Sequence, residues 1–517
     1  MPSHSELSVS SLPELPALAW LLVWERGETP TVVTGPDVHI GRGWIAEGAW
    51  AGPFDREGFL ASTPMLGSGV ASTGSALVVR GPVGVTERTW LVSTPACTYI
   101  SNSLALVLAG SGSALDLDWP HYEADFMSFV LGRRRMREVL PLRGHGDLRQ
   151  FVGHRLVLDS WRSWRTEPDD CLCTDACFET YESYRDHLVR RSELIVRNAC
   201  DAQRSVSYTP LATVSKGYDS PACAVVAREV GAAEAITFTE SRGREGREGV
   251  DDSGTAIGRA LGLTVHETDR ERYKSAPVSD VRAALAGAGG GEDVPFIAFS
   301  DVLARKLVFT GYMGDSVWGK TPIVDPMSGK GLWAGSKGMS EFRIRTGFVH
   351  YPLPWCDYQR QHDIAEISTA PEMSGWRIDS VYDRPIPRRI VETAGIPRSE
   401  FGQAKAAISA PLYYTADLED LLGQAAASAF RRWCDRNDVA ARVEAYARVR
   451  SRMARINSAR GRLADIFEVR LNRPGIARRV RPGLQTRWRR EPSPGLWLMV
   501  WTIETLREEY VTLLKST

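Results

Sequence analysis

The middle of the chain alternates short apolar runs with longer runs of helical periodicity, and this alternation limits the fold more strongly than any other feature. A first helix is predicted at residues 184–198. Strands are then predicted at 205–214, 235–239, 263–267 and 307–310, with helices between them at 221–230, 253–261 and 296–306. Strands that alternate with helices of this length imply a parallel, doubly wound sheet. We therefore predict an α/β domain over residues 180–480.

The region before this alternation has a different pattern, which predicts a separate domain. Residues 1–165 contain short apolar runs divided by Gly and Pro, as strands do, at 19–24, 31–33, 76–80 and 89–93, and a helical run at 105–109. A polar stretch with several cysteines, 160–176, is predicted to be a linker. The pattern beyond residue 418 is mostly helical, and residues 481–517 are predicted to form a C-terminal helical tail.

Composition and charge argue against several classes of protein. The 517 residues include 63 Lys plus Arg and 63 Asp plus Glu, so the charge balance gives no reason to expect a nucleic-acid partner. No run reaches the roughly 18 apolar residues of a membrane span, and the N-terminus lacks the segments of a signal peptide. Eight cysteines are too few for a disulfide scaffold, so we expect reduced thiols and a cytoplasmic location.

The segment between the first predicted strand and its helix has the composition of an anion-binding loop. It contains Ser215, Lys216, Gly217, Asp219 and Ser220. Backbone N–H groups at such a turn, together with the positive end of the following helix, attract a phosphate group. Asp219 would repel phosphate directly, and its natural role there is to hold Mg²⁺. The alternative is a plain strand-to-helix turn with capping Ser and Asp side chains.

A second loop follows the last predicted strand and also carries an aspartate. Gly311, Tyr312, Gly314 and Asp315 lie in this loop. The carboxyl ends of parallel strands meet at one edge of the sheet, where ligands bind in doubly wound folds. Asp219 and Asp315 are therefore expected to lie near each other at this edge of the sheet, although Tyr312 alone could equally be a core or turn tyrosine.

These two loops resemble motifs of the asparagine synthetase superfamily. The first is similar to the S-G-G-x-D-S pyrophosphate loop of N-type ATP pyrophosphatases, with Lys216 in place of the first glycine. The second resembles the S-G-x-G-x-D-E-x-F-G-G loop of asparagine synthetases, and still more the L-T-G-Y-G-A-D loop of β-lactam synthetases. The resemblance implies that Asp219 and Asp315 bind Mg²⁺ and that Tyr312 is catalytic. It implies ATP or pyrophosphate contacts at Ser215, Lys216, Gly217, Asp219, Ser220, Phe238, Thr239, Gly311 and Gly314.

The resemblance extends to a third segment and to a partner for the tyrosine. Residues 382–390 and 401–405 resemble the region where these synthetases place an essential lysine, which matches Lys405. A cation there would stabilise the negative charge that builds up during acyl activation and amide formation. β-Lactam synthetases pair the tyrosine with a glutamate. Glu341 and His350 are the nearest candidates here, and Glu341 is retained as the catalytic one.

The N-terminal region resembles the later part of a class II glutamine amidotransferase domain, which has an Ntn-type α+β fold. Glutamine-using synthetases carry a nucleophilic cysteine at the extreme N-terminus, whereas the first cysteine here is Cys97. The resemblance therefore implies a degenerate amidotransferase-like domain, as in β-lactam synthetases and lasso-peptide macrolactam cyclases, followed by an ATP-pyrophosphatase domain with a helical tail.

The expected function is that of an ATP- and Mg²⁺-dependent, AMP-forming ligase. It would adenylate the carboxylate of a small molecule or peptide and join it to an amine, without glutamine hydrolysis, in specialised metabolite or peptide biosynthesis. The amine could be on the same molecule, as in a macrolactam cyclase, or on another, and a homodimer is left open. The competing hypotheses are a non-catalytic nucleotide-binding protein of the same fold and an RNA-modifying pyrophosphatase, which would need a basic groove.

Overall fold

A computed structural model describes most of the chain. It covers residues 7–82, 87–126, 128, 136–144, 146–168, 178–243, 249–286, 294–322, 339–378, 380, 382–403, 406–407, 418–444, 456, 459–460, 463, 476, 480 and 494–516. The fold is mixed α/β and includes a parallel sheet, as the sequence predicts.

The described residues up to Pro168 form mainly strands. The strands are β1 Ser8–Ser11, β2 Trp20–Glu25, β3 Thr31–Thr34, β4 His39–Gly41, β5 Trp44–Trp50, β6 Met65–Ser72, β7 Leu77–Arg80, β8 Thr89–Ser93, β9 Cys97–Ser101, β10 Ala114–Leu115, β11 Val139–Leu140, β12 Leu142–Arg143, β13 Asp147–Phe151, β14 His154–Leu158 and β15 Trp164–Pro168. The helices are α1 Arg56–Ala61, α2 Leu104–Ser111 and α3 Tyr122–Phe126. Strand β15 pairs with β14, so the predicted linker at 160–176 was wrong over residues 164–168, because a polar hairpin strand lacks the apolar alternation that marks a strand.

Two sheets of this region pack face to face. One has the order β1-β3-β2-β9-β8-β13-β11 and the other β15-β14-β7-β6-β5-β4. Alternate side chains of both sheets point into a common core that includes Trp20, Leu22, Val70, Leu77 and Ile100. Alternation along a strand places every second residue on the same face, which explains why short apolar runs suffice to build this core.

The remainder of the chain begins with a long helix and then forms the alternating region. Its strands are β16 Thr209–Thr213, β17 Glu234–Phe238, β18 Glu240–Gly243, β19 Val250–Asp251, β20 Thr264–Thr268, β21 Lys306–Thr310, β22 Val349–Pro352 and β23 Ala406–Ala407. The α-helices are α4 Tyr181–Ala199, α5 Asp219–Glu229, α6 Thr255–Ala260, α7 Val278–Ala286, α8 Ser300–Leu303, α9 Gly314–Val317, α10 Ser340–Thr346, α11 Gln361–Thr369, α12 Pro385–Thr393, α13 Leu418–Leu422, α14 Gln424–Arg436 and α15 Pro494–Lys515. Short 3₁₀ helices lie at Arg270–Ser275, Val294–Phe299, Pro354–Arg360, Pro371–Trp376 and Arg398–Glu400.

Five of these strands form one parallel sheet in the order β20-β17-β16-β21-β22. Strand β16, which comes first in the chain among these five, lies at the centre of the sheet. The chain builds outward to β17 and β20 on one side and then returns to add β21 and β22 on the other. The helix predicted at 296–306 was only partly right, because a 3₁₀ turn and the short α8 occupy residues 294–303 and Lys306 already begins β21.

The C-terminal helix α15 connects the two parts of the fold. Its apolar residues, among them Trp497 and Trp501, are buried, and the helix packs against α2 and α7. Residues 494–515 of the tail form this helix, which belongs to the core of the molecule. None of the described helices combines the length and the apolarity that crossing a membrane requires.

Candidate functional site

The site predicted from the sequence lies where the order of the parallel strands reverses. Strand β16 has β17 on one side and β21 on the other, and the chain leaves β16 and β21 in opposite directions around the sheet. The loops that follow these two strands therefore border a crevice at the carboxyl edge. Ligands of open α/β sheets bind at such switch points.

The loop after β16 is held in shape by its own hydroxyl groups. The Oγ atoms of Ser215 and Ser220 are 2.8 Å apart, and the N–H of Gly217 donates to Ser215 Oγ at 3.2 Å. Ser215 also forms an isolated bridge with Ser253. Helix α5 starts at Asp219 directly after the loop. A hydroxyl-lined turn at the start of an eleven-residue helix can receive an anion.

The loop after β21 packs directly onto the first loop. A Cβ placed on Gly314 would lie 2.5 Å from Cγ of Asp219, and a Cβ placed on Gly311 would lie 2.6 Å from the backbone nitrogen of Ser220. Only glycine allows this approach. Asp315 follows Gly314 in sequence, so the structure brings the two predicted metal ligands, Asp219 and Asp315, onto touching loops.

One residue of the second loop has strained backbone geometry. Met313 has a φ of 58°, in the left-handed region that favours glycine. The motifs that this loop resembles have glycine at that position. Met313 therefore adopts a backbone conformation that a glycine would adopt without strain, and this conformation carries a cost for methionine.

The two aspartates suit the metal of a nucleotide rather than a site built by the protein alone. Among the described residues, no cluster of three or more His, Cys, Asp or Glu side chains could hold a metal ion. Mg²⁺ that is bound with a polyphosphate needs only one or two carboxylates, because phosphate and water oxygens complete its shell. Asp219 and Asp315 meet that requirement.

Tyr312 contacts His350 of the neighbouring strand β22. Their ring centroids are 5.8 Å apart in an edge-on arrangement, and His350 Nε2 lies 2.7 Å from Thr310 Oγ1. Burial, with a smaller effect from the Arg343 charge, lowers the pKa of His350 to about 3. The imidazole beside Tyr312 is therefore neutral at physiological pH and can exchange a hydrogen bond with Thr310 without carrying charge.

Glu341 does not join this group. Its carboxylate is buried and accepts hydrogen bonds from Ser103 Oγ at 2.9 Å and from Tyr510 OH at 2.6 Å. Ser103 caps helix α2 and Tyr510 belongs to α15. Glu341 thus links three helices away from the two loops. Of the two candidates that sequence suggests as a partner for Tyr312, the structure brings only His350 to it.

Two consecutive aspartates at the end of β19 accept hydrogen bonds from Lys216. The ammonium of Lys216 lies 2.5 Å from Asp251 Oδ2, and the N–H of Lys216 donates to Asp252 Oδ1 at 3.0 Å. The Lys216 hydrogen bond is the main cause that lowers the pKa of Asp251. Burial raises the pKa of Asp252, which is almost fully enclosed.

A second set of residues packs against the 215–220 loop from the side of α12. The Tyr382 ring lies 4.8 Å from the Tyr218 ring, and the Arg388 guanidinium donates to Tyr218 OH. Gly402, with a φ of 67°, lies so close to the Tyr218 ring that no Cβ would fit, and its N–H donates to Lys216 O at 2.7 Å. The segment expected to carry the catalytic lysine therefore contacts the 215–220 loop.

Lys405 itself lies outside the described residues. The residues that follow it, Ala406–Ala407, form strand β23, which pairs with β18 in a small sheet with β19. On the other side of Lys405, the N–H of Gly402 donates a hydrogen bond to Lys216 O in the 215–220 loop. The described residues on both sides of Lys405 are thus tied to the loop or to the strands next to it.

Phe238 and Thr239, which the resemblance implies as ATP contacts, have contacts within the protein. The Phe238 ring is buried against Phe296 and Phe299, at centroid distances of 5.9 and 4.9 Å. The N–H of Thr239 donates to Thr268 O at 3.0 Å, and its carbonyl accepts from the N–H of Asp252. Both residues lie at the carboxyl end of β17, but the Thr239 amide is already bonded within the protein.

Several site residues were missed from sequence. Asp251 and Asp252 contact Lys216, and the buried Asp383 accepts a hydrogen bond from Lys320 at 2.9 Å just beyond the second loop. The signal for the first pair was available, because two aspartates immediately precede a predicted helix at the same edge of the sheet. Asp383 gave none, since its partner is 63 positions away in sequence.

Comparison with known proteins adds no relative to this description. No protein-family model matches the chain, and no curated protein matches it at a significant level. A functional assignment therefore depends on the geometry of the two loops and on the motifs they resemble.

Proposed function

We propose that this protein is an ATP-dependent, AMP-forming ligase of the asparagine synthetase type. It adenylates a substrate carboxylate and forms an amide with an amine, without glutamine hydrolysis. The observation that carries the proposal is the contact between the Asp219 loop and the Asp315 loop at the switch point of a parallel sheet. Two aspartates on touching loops, beside a hydroxyl-lined turn, match what Mg·ATP requires.

The roles follow from the positions of the residues. The 215–220 loop and the start of α5 would hold the phosphates, and Asp219 and Asp315 would bind the Mg²⁺ that accompanies ATP. A carboxylate oxygen attacks the α-phosphorus and pyrophosphate leaves. The amine nitrogen then attacks the acyl carbon, loses a proton, and AMP leaves. Tyr312 and Lys405 are assigned to charge stabilisation and proton transfer at the reacting carbon.

The N-terminal region supports a ligase that takes its nitrogen from an amine. Cys97 is the first cysteine of the chain and lies buried at the start of β9. Burial is the main cause that raises the pKa of its thiol. A buried, protonated thiol is a poor nucleophile, which agrees with an amidotransferase-like region that has no glutaminase activity. We assign that region, residues 1–165, to the degenerate amidotransferase type.

The test is release of pyrophosphate and AMP from ATP and Mg²⁺ over pools of amino acids, small carboxylic acids and peptides. Wild type is compared with D219N, D315N and K405A. D301N is the matched control, since it removes one exposed carboxylate from α8, immediately before β21. Loss of the metal carboxylates should lower turnover by about 100-fold or more, because the metal stabilises several kcal/mol of developing charge, whereas D301N should retain full turnover.

The outcomes separate the proposal from its alternatives. Turnover with one pool, lost in D219N and D315N, supports the ligase, and a cyclic product would favour the macrolactam-cyclase form. Mg·ATP binding without turnover in any pool favours the non-catalytic nucleotide-binding protein. Pyrophosphate release that requires RNA would favour the pyrophosphatase acting on RNA. A folded protein that binds no ATP would overturn the proposal.

A further inference from the structure

Lys216 is the one position of the first loop that departs from the motif it resembles, and the structure gives it two acidic neighbours. Its ammonium pairs with Asp251 and its N–H bonds to Asp252. In a phosphate-binding loop, the ammonium and the N–H of this lysine would both point at the anion. Here both groups contact carboxylates of the same chain. The two contacts differ in burial, and this difference determines which of them a ligand can replace.

The contact with Asp252 belongs to the framework. Asp252 is almost fully enclosed, and its backbone carbonyl also lies 3.3 Å from the N–H of Lys216. Breaking this contact would leave a buried carboxylate with fewer hydrogen bonds, which is costly. We therefore expect the Lys216 backbone to stay in place when a ligand binds.

The contact with Asp251 is at the surface. The exposed fractions of the two side chains are 39% for Lys216 and 69% for Asp251. An exposed ion pair contributes only about 0–1 kcal/mol, because water solvates both partners. The lysine stem is flexible, and a polyphosphate offers several charged oxygens that form stronger hydrogen bonds than one solvated carboxylate. The ammonium can therefore exchange partners with little loss.

Asp251 is also poorly placed to be a ligand itself. Its Oδ2 pairs with Lys216, and its Oδ1 accepts the N–H of Ser253 at 3.1 Å in the turn before α6. Asn in place of Asp251 could keep the bond to Ser253 through its amide oxygen while it removes the charge. This makes D251N a variant that tests charge without removing the turn.

We infer that Lys216 is a phosphate-binding cation that Asp251 holds in the free protein and that moves to the polyphosphate when Mg·ATP binds. Asp251 then competes with ATP for the lysine and lowers nucleotide affinity. This inference rests on the proposed function, because it requires Mg·ATP to bind at the 215–220 loop. The lysine then adds a positive charge to the phosphate-binding loop.

The test is calorimetric titration with the Mg²⁺ complex of an ATP analogue whose α- and β-phosphorus atoms are joined by a methylene group, and with AMP. The proteins are wild type, D251N, K216M and the double variant. E271Q is the matched control, because it removes the charge of another exposed carboxylate that pairs with a lysine, Lys274.

The expected result has a sign that a merely structural role would not give. D251N should bind the analogue more tightly, by up to about 5-fold, since one competing surface pair is removed. K216M should bind it about 10-fold or more weakly. In the K216M background, D251N should have no effect beyond that of E271Q, and AMP should bind all five proteins equally, because it lacks the phosphates that Lys216 contacts.

Two results would overturn the inference alone. One is unchanged or weaker binding of the analogue by D251N while wild type binds it well. The other is the same gain from D251N in the presence and in the absence of Lys216, which would show a general charge effect. Failure of every variant to bind the analogue, with native circular dichroism spectra, would overturn the proposed function and this inference together.

Discussion

Two charged clusters of this molecule have similar composition and opposite environments. One lies at the junction between the N-terminal sheets and the parallel sheet, where Arg343 is bonded to Glu47 at 2.8 and 3.0 Å and to Glu87 at 2.6 and 2.8 Å. The side-chain exposure of Arg343 is 1% and that of Glu47 is 0%. The other lies at the two loops, where the side chains of Lys216 and Asp251 are 39% and 69% exposed.

The difference shows how burial separates a structural cluster from one that can bind a ligand. At the junction each charge has protein partners: Glu47 also accepts from Ser68 Oγ, and Arg343 donates to Phe348 O. If one of these side chains left its partner, a charged group would remain buried without a counter-charge. At the loops the partners are solvated and replaceable. We therefore expect substitutions at the junction to change stability, and substitutions at the loops to change nucleotide binding.

The largest effect should come from removing the cation of the buried cluster. R343M leaves Glu47 and Glu87 enclosed side by side without a counter-charge, and this should lower the free energy of unfolding by about 3–5 kcal/mol. Urea denaturation followed by circular dichroism measures it. A variant that unfolds with the wild-type midpoint would show that the cluster is hydrated, and the contrast with the loops would then fail.

A smaller loss of stability, with a large loss of nucleotide binding, is expected where the two loops touch. G314A places a methyl group against the Asp219 carboxylate, with only 2.5 Å between Cβ and Cγ. Overpacking of this kind costs about 1–3 kcal/mol and shifts the groups involved. Calorimetry with Mg·ATP should show weaker binding than wild type.

The control for this substitution is G375A. A Cβ on Gly375 would meet nothing within 4 Å, so its unfolding free energy should stay within about 0.5 kcal/mol of wild type. If G314A bound Mg·ATP normally, the contact between the loops would not define the nucleotide site.

The pH dependence of stability should reveal opposite effects from Glu87 of the buried cluster and from the buried His350. Burial is the main cause that raises the pKa of Glu87 to about 7, with Arg343 opposing it. The folded state therefore binds more protons at Glu87 than the unfolded state between pH 4.5 and 7, and stability falls as pH rises through that window. His350, with a pKa of about 3, binds fewer protons when folded, so its stability contribution falls as pH drops from 6.5.

Single variants separate the two contributions. E87Q should make stability rise more steeply with pH between 5 and 6.5 than in wild type, and H350Q should make it rise less or fall. Each change amounts to about 2 kcal/mol over that window at most. Equilibrium urea unfolding at four pH values measures the slopes. Parallel curves for wild type and E87Q would mean that Glu87 is ionised throughout.

The parts of the fold that sequence could predict are those that local pattern determines. Strands β16 and β21 were expected at 205–214 and 307–310 and lie at Thr209–Thr213 and Lys306–Thr310. Their apolar runs are buried in the sheet, and glycine or polar residues end them. Because the carboxyl ends of parallel strands share an edge, the closeness of Asp219 and Asp315 also followed from the pattern.

What sequence could not predict depends on contacts between distant residues or on strands without apolar alternation. Arg343 and Glu47 are 296 positions apart, and no local feature connects them. Glu341 resembled a catalytic partner by its position after the second loop, yet it bonds to Ser103 and Tyr510, which only the packing of α2 and α15 brings near. The small sheet β19-β18-β23 has strands of two to four residues with charged side chains and glycine, so no periodicity marks it.

The smallest expected effect comes from a pair that spans the same junction as Arg343 but lies at the surface. Arg305, just before β21, pairs with Asp37 at 3.2 Å, and its side chain is 63% exposed. R305M should change the unfolding free energy by about 1 kcal/mol or less, and that change should vanish in 1 M salt because exposed charges are screened. Urea denaturation at low and high salt, beside R343M, measures both. If R305M lowered the unfolding free energy as much as R343M, position at the junction would matter more than burial. Solvent exposure would then not explain the difference between the two clusters.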